Sequence, residues 1–534
     1  MIEVMDFSQK ERIYLRDWYY NAGIVGFLKV ISDGNLDTDR LKDFGDKLYI
    51  GEDYIEFDLS ILDNFEEKFY RQIFLKYFDL KQYQTYINTA LKDEKNNQAN
   101  KISKILKEID KYPFKGLYSF LGYSLETYDD IVNYKEKINE LTKEQIYDKV
   151  KDTTFATDFI EKATKGIVGI SNLNKYLKSA RDVSFKLRKN TNKLCISCQI
   201  RKREFDLTNA ISNIIGFNSD NSNWVWGFDS NKVKLCSICS LIYLCASVSL
   251  VFHKKGSNYK YCFYFINHNR SIRKLVDSYN GFQGQVNIKV NNKEIYPIMV
   301  KEAVKFVKEE QASQTLQNIS FIEIQENNMG GQSTKSYNVY SFSLTKKLAE
   351  FIDHNIEKIP KGFYFIKKDY FDIEYEILKK TIERNLNYND IDKYFRMYFS
   401  SKSNNFVKFN SNIYSIVDYI LKYISYIFLG GMMDLEKISK KGFVNGKQLR
   451  ERLGKEKENQ INGLAYQFLN DLKVGDRDKF LDKYLRVSIS NQMESRFGQD
   501  EMNSKEAFLH FGYSFINGLL NTYENNSNKE NKNE

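Results

Sequence analysis

Four of the six cysteines fall into two pairs, Cys195-Ile-Ser-Cys198 and Cys236-Ser-Ile-Cys239. Two residues between cysteines let one tight turn present both sulfurs to a single tetrahedral ion, at about 2.3 Å each for zinc. Two such pairs bracketing a loop of this size have the spacing of a four-thiolate site. Cys195, Cys198, Cys236 and Cys239 are therefore expected to hold one structural Zn2+. Nothing in the chain suggests export, which disfavours disulfides. A thioredoxin-type redox centre would place one CxxC on a βαβ unit, not two around an insertion. Cys245 and Cys262 lie on apolar stretches and read as core residues.

Cationic side chains flank these cysteines. Lys186, Arg188, Lys189, Lys193, Arg201, Lys202 and Arg203 form one run without an acidic residue, and Lys254, Lys255, Lys260, Arg270, Arg273 and Lys274 form a second. Tyr259, Tyr261, Phe263 and Phe265 alternate along the second stretch, a pattern that suits core packing and also base stacking. A third basic run, which includes Lys440, Lys441, Lys447 and Arg450, lies further along the chain against Glu451 and Glu456. Two acid-free clusters beside a metal site point to contact with nucleic-acid phosphates. The stretch containing Asn328, Gly330, Gly331, Gln332 and Lys335 joins two strand-like segments. Its glycines allow close backbone approach and its polar side chains supply donors, so it is a candidate for reading bases in a groove.

Catalytic signatures are missing. The four histidines, His253, His268, His354 and His510, form no HD pair and no HExxH, and no GxSxG elbow occurs. Gly442-Phe-Val-Asn-Gly446-Lys447-Gln448 resembles a P-loop but is one residue short and lacks the Ser/Thr for magnesium. The chain reads as a binder and not an enzyme.

The elements that must position these residues point to an α+β protein. With 534 residues, 42% apolar and 15% aromatic, it can bury cores for several domains, and its net charge of +10 is modest. No apolar run is long enough to span a bilayer, so a soluble cytoplasmic protein is expected. Helical periodicity predicts a helix over Glu11–Ile31, in which Gly23 and Gly26 would admit a close neighbour and Asn21 is a buried amide. Leu48–Leu59 reads as a hairpin around Gly51-Glu52-Asp53, and Phe65–Ala180 as largely helical. Trp224-Val225-Trp226 is an apolar plug for the metal site, and Leu241–Phe252 begins as a helix packed against it. Further hairpins are expected around Asn291-Asn292, with Pro297 on an edge strand, and across the loop Gln325–Ser336. The organisation predicted is a mixed body over 1–405 with an inserted zinc-binding segment at about 186–260. A helical bundle over 406–523 and a disordered tail over 524–534 would follow.

Trp18-Tyr-Tyr-Asn21-Ala22-Gly23-Ile24-Val25-Gly26-Phe27 resembles the W-x-x-N-x-G-I/V-x-G-F opening of the CRISPR-associated CXXC–CXXC family, and the two cysteine pairs match that family's defining feature. These proteins are large subunits of type I-B Cascade complexes. The resemblance implies a non-catalytic subunit that holds the 5′ handle of the crRNA and reads the protospacer-adjacent motif on double-stranded target DNA. It would also help start the R-loop and recruit a separate helicase–nuclease, alongside backbone, 5′-end and small subunits and without a membrane. It further implies that the C-terminal bundle mimics the small subunit. Met432 and Met433, after Gly430-Gly431, are candidates for an internal start. Two alternatives are a type III-like large subunit and a structural zinc protein of a mobile element. The first needs a Gly-Gly-Asp-Asp loop, where this chain has Gly430-Gly431-Met432-Met433-Asp434.

Overall fold

A computed structural model describes residues 10–37, 41–92, 102–163, 172–181, 194–207, 211, 214, 233–255, 260–288, 295–309, 319–329, 332–342, 344–403, 406–428, 435–454, 457–494 and 497–521. The chain is α+β and divides into two units, Met1–Asn292 with Asn318–Ser341, and Lys293–Gln317 with Phe342–Glu534. No helix among the described residues is long and apolar enough to cross a membrane.

The first unit opens with a strand where a helix was expected. β1 (Lys10–Tyr14) pairs antiparallel with β3 (Tyr54–Asp58), which also pairs with β2 (Leu48–Ile50). Ile13, Ile55 and Phe57 face inward and are fully buried, the period-two pattern of a half-buried sheet. α1 (Trp18–Ile31) begins only at Trp18, because Asp17 is its N-cap and accepts from the backbone N–H of Tyr19 and Tyr20, both at 3.0 Å. Helices α2 (Phe65–Tyr77), α3 (Leu80–Lys92), α4 (Ile102–Ile109), α5 (Tyr128–Glu140), α6 (Lys143–Val150), α7 (Thr154–Ala163) and α8 (Leu173–Arg181) follow. Tyr112-Pro113 falls between α4 and α5.

β4 (Phe205–Asp206) and β5 (Lys234–Leu235) form a short ladder ahead of α9 (Ser237–Ser249), which packs along α1. Next come β6 (Val251–Lys255), β7 (Lys260–His268) and α10 (Ile272–Ile288), and the sheet is completed by β8 (Ile319–Met329) and β9 (Gln332–Phe342) in the order β6-β7-β8-β9. β7 is buried on both faces. Phe265 meets Trp18 of α1 at 6.5 Å on one side, and Tyr264 meets Phe282 of α10 at 6.5 Å on the other. Phe263 and Phe265 are therefore core residues and not a stacking platform.

Two expected hairpins change. The one around Asn291-Asn292 does not form: α10 runs to Ile288, and α11 (Ile295–Glu309) of the second unit starts at Ile295. Buried Ile295, Ile298, Met299 and Ala303 have helical spacing. Pro297 sits in the first turn, where a missing N–H costs no intrahelical bond. The loop Gln325–Ser336 shrinks to a hairpin tip, since β8 continues to Met329 and β9 resumes at Gln332. Gly330 and Gly331 lie outside the described residues.

In the second unit α12 (Lys346–Asn355) leads to β10 (Gly362–Ile366) and β11 (Asp369–Asp372). Helices α13 (Ile373–Ile382) and α14 (Tyr388–Ser403) precede β12 (Val407–Ser411), which pairs antiparallel with β10. The bundle helices are α15 (Ile413–Phe428), α16 (Leu435–Leu453), α17 (Glu458–Val474), α18 (Arg477–Ser490) and α19 (Lys505–Leu520). The boundary expected near residue 406 falls inside this unit, because β12 completes a sheet begun at Gly362. The P-loop-like run is interior helix. Gly442 and Gly446 lie on α16 where a Cβ would strike the carbonyl oxygens of Phe511 and Phe515 on α19. Met432, Met433 and the tail 524–534 lie outside the described residues.

Candidate metal centre

The two cysteine pairs converge through local backbone geometry. Cys195 starts a turn in which its N–H donates to the carbonyl of Arg201 (2.8 Å), while the N–H of Arg201 donates to Cys198 Sγ (3.5 Å). The second pair sits at a helix start: Cys236 is the N-cap of α9, and its Sγ accepts from the N–H of Cys239 (3.4 Å). Strand pairing Phe205↔Leu235, reinforced by Glu204 N–H donating to the Leu235 carbonyl (2.8 Å), holds the two turns against each other.

The four Sγ atoms lie within 4.8 Å of one another, and all four cysteines are buried. Sulfurs bound tetrahedrally at about 2.3 Å are about 3.8 Å apart, and Cys198 Sγ to Cys236 Sγ is 3.9 Å. Hydrogen bonding among the thiols pushes Cys198 down and Cys236 up, so the cluster shares its protons unequally. A divalent cation bound here would take the place of those protons. These residues fit a metal ion.

Sequence reasoning missed the shell around the sulfurs. Arg16 is half-buried; its Nη1 donates to Ser197 Oγ (2.8 Å) and to Cys239 Sγ (3.7 Å), and its guanidinium lies 4.5 Å over the Tyr20 ring. The Tyr20 hydroxyl also meets Cys239 Sγ at 3.7 Å. Tyr243 of α9 donates to Asp17 Oδ2 (2.9 Å) and stacks on Tyr19 at 5.6 Å. One cation and several N–H and O–H donors thus face the negative charge that four thiolates would carry. The signal was present in the position of Arg16, two residues before the Trp18-to-Phe27 motif.

That motif packs on the metal-bearing helix. A Cβ at Gly23 or Gly26 would collide with the carbonyl oxygens of Ile242 and Cys245 on α9, so the two backbones touch. Ser249 Oγ donates to the Ala22 carbonyl (2.6 Å). Asn21 is fully buried: its Oδ1 accepts from Arg16 N–H (2.8 Å), and its Nδ2 faces Asn267 Oδ1 (2.9 Å) and Asn269 Oδ1 (2.7 Å). It is a structural tie between the start of α1 and the end of β7. At the far end of α9, half-buried Lys76 of α2 donates to the carbonyls of Ser247 (2.6 Å) and Leu250. That is a cation at a helix C-terminus, with its pKa pushed down by burial.

The basic runs are less uniform than their sequence. Arg201 is committed to Glu11, with its Nε at 3.0 Å from Oε2, and the pair is largely buried. It braces the first cysteine turn against β1, and its guanidinium is engaged by a carboxylate. Lys441 bonds the buried Glu501 (2.8 Å), Arg450 Nη1 donates to the Leu519 carbonyl (3.1 Å), and Lys447 lies 4.0 Å from Glu451. Lys441 and Arg450 thus tie α16 to later segments of the bundle, whereas Lys447 pairs within α16. Arg270, Arg273 and Lys440 are exposed, and Arg203 and Lys274 are half-buried. Lys202 bridges to Leu194 in the first knuckle. Lys254, Lys255 and Lys260 lie on β6 and β7, and Asn328, Gln332 and Lys335 on β8 and β9. Lys186, Arg188, Lys189, Lys193 and the Trp224–Trp226 plug lie outside the described residues. No protein-family model matches the chain, and no curated protein matches it.

Proposed function

We propose that the four cysteines hold one structural zinc and that the chain is the non-catalytic large subunit of a crRNA-guided type I-B Cascade complex. In this reading it binds the 5′ handle of the crRNA and recognises the protospacer-adjacent motif on duplex DNA. It then promotes R-loop formation and recruits a helicase–nuclease in the cytoplasm. One observation carries the reading. The Trp18-to-Phe27 helix and the Cys236–Cys239 helix are joined backbone to backbone through Gly23 and Gly26. The two motifs that suggested the family are therefore one structural unit, as expected if they were kept together for one purpose. Four buried thiols on tight turns select zinc over hard cations such as magnesium or calcium.

The test is purification of the tagged chain from its own cells. A small RNA with a constant repeat-derived 5′ end and several partner subunits must accompany it, and one zinc per chain must be present. A chain that purifies alone, free of RNA, overturns the Cascade reading and leaves the zinc site to be judged separately.

A further inference from the structure

We propose that Arg16 is the counter-ion of the filled metal centre and shields Cys239 from electrophiles, a role that rests on zinc occupying the site and not on the Cascade reading. A divalent cation among four thiolates leaves two negative charges over. They would sit on four buried cysteines, and a buried charge is costly unless an opposite charge meets it. Two arginines reach the sulfurs. Arg201 gives its backbone N–H to Cys198 Sγ (3.5 Å), but its guanidinium is already matched by Glu11. Arg16 is half-buried and makes no ion pair with a carboxylate among the described residues; its Nη1 donates to Ser197 Oγ (2.8 Å) and Cys239 Sγ (3.7 Å). The neighbouring Asp17 is engaged elsewhere. Its Oδ1 caps α1, and its Oδ2 accepts from the Tyr243 hydroxyl (2.9 Å). A half-buried guanidinium with no carboxylate is accounted for if the sulfurs are its anion.

The surroundings hold Arg16 in place. Buried Asn21 clamps its backbone at both polar groups: Oδ1 accepts from the Arg16 N–H (2.8 Å), and Nδ2 donates to the Arg16 carbonyl (3.1 Å). The Tyr20 ring supports the guanidinium from 4.5 Å. Asn21 and Tyr20 are thus positioning residues for the cation. The sulfurs are also unequally covered. Cys239 Sγ faces two side-chain donors, Arg16 Nη1 and the Tyr20 hydroxyl, each at 3.7 Å. Cys198 and Cys236 each receive a backbone N–H, at 3.5 and 3.4 Å. Donors to a bound thiolate, a charged one above all, draw off the electron density that an electrophile attacks. Cys198 is the most exposed of the four at 8%, and Cys239 is fully buried. Attack should therefore begin at Cys198 and reach Cys239 last.

The experiment uses the full-length, zinc-loaded chain and Arg16→Met, which keeps the length of the side chain and removes its charge. Zinc loss to excess EDTA should quicken about tenfold, the worth of one charge-assisted hydrogen bond. Arg16→Lys, which keeps the charge, should lose zinc at close to the wild-type rate. Arg16→Gln, neutral but still a donor, should fall between, and it replaces Arg16→Met if that chain does not fold. Labelling with N-ethylmaleimide, followed by peptide mass mapping, should reach Cys239 last in wild type and several-fold sooner relative to Cys198 in Arg16→Met. The thermal midpoint should fall in the zinc-loaded variant and not in the metal-free one, where the guanidinium has lost its anion. If wild type holds one zinc, yet release and Cys239 labelling are indifferent to Arg16→Met, the counter-ion role is overturned and the zinc site stands. An equal fall in midpoint with and without zinc also overturns it, since Arg16 is then structural. A wild-type chain that takes up no zinc removes the site and this role together. Absence of a guide RNA from the purified chain alters none of these readings.

Discussion

At the scale of single residues, metal and proton occupancy decide stability. Binding to four thiolates is worth on the order of 10 kcal/mol and exists only in the folded site. Cys236→Ser should therefore release the metal and open 194–252 to protease, whereas Cys245→Ala should leave one metal per chain. Elemental analysis with limited proteolysis checks both, and a well-folded, metal-free wild-type chain would contradict the site. His510 makes a second residue-scale prediction. It is fully buried on α19, its Nδ1 faces the Tyr388 hydroxyl (2.5 Å) and its Nε2 faces Ser425 Oγ (2.9 Å). Burial pushes its pKa down to about 4, whereas an unfolded histidine titrates near 6.5. The unfolded chain thus binds the extra proton first. The stability linked to neutral His510 is complete above about pH 6.5 and is lost as pH falls towards about 4, on the order of 3 kcal/mol in all. The fall in thermal midpoint between pH 7 and pH 5 should be clearly smaller in His510→Gln than in wild type.

At the scale of elements, the tight pairing of α1 with α9 couples a helix without metal ligands to the metal. Gly26→Ala puts a Cβ against the Cys245 carbonyl and forces the helices apart, which should cost about 1–3 kcal/mol. Because α9 starts at Cys236 and carries Cys239, the same change should speed loss of the metal to a chelator. Unchanged chelation kinetics in a destabilised Gly26→Ala chain would mean that the helix contact and the metal site are independent. Gly442 and Gly446 serve α16 and α19 in the same way. A glycine spacing that mimics a phosphate loop is here a helix-packing surface, and only the neighbour across the interface tells the two apart.

At the scale of the whole molecule, the second unit is larger than its helical stretch. β12 takes its hydrogen bonds from β10, and α15 packs on α12 and α14. A fragment 406–534 would lose the strand partner of β12 and uncover α15. It should melt well below a fragment 342–534, or lack a cooperative transition, by circular dichroism. Equal midpoints would mean that residue 406 is a boundary. A chain starting at Met432 would also lose α15, whose Ser425 contacts His510. It would have to cover that face of α19 with a partner.

Some of this was determined by the sequence alone, for local reasons. CxxC spacing dictates a sulfur-bearing turn whatever surrounds it, so all four ligands could be named from their positions. Gly23 and Gly26 announced a close neighbour because a missing Cβ has few other uses at one helix face. The alternation of Ile55 and Phe57 marked a strand. Other features were decided by tertiary structure. Arg201 and Arg273 are alike as letters in basic runs, yet Glu11 from a strand some 190 residues earlier buries one and leaves the other exposed. The β-branched residues before and after Asn291 fit a strand or a helix, and packing on both sides chose helix. Arg16 and Tyr20 gained a role at the sulfurs from elements distant in the chain. Burial and pairing are properties of what arrives across space, and the order of residues does not state what will arrive.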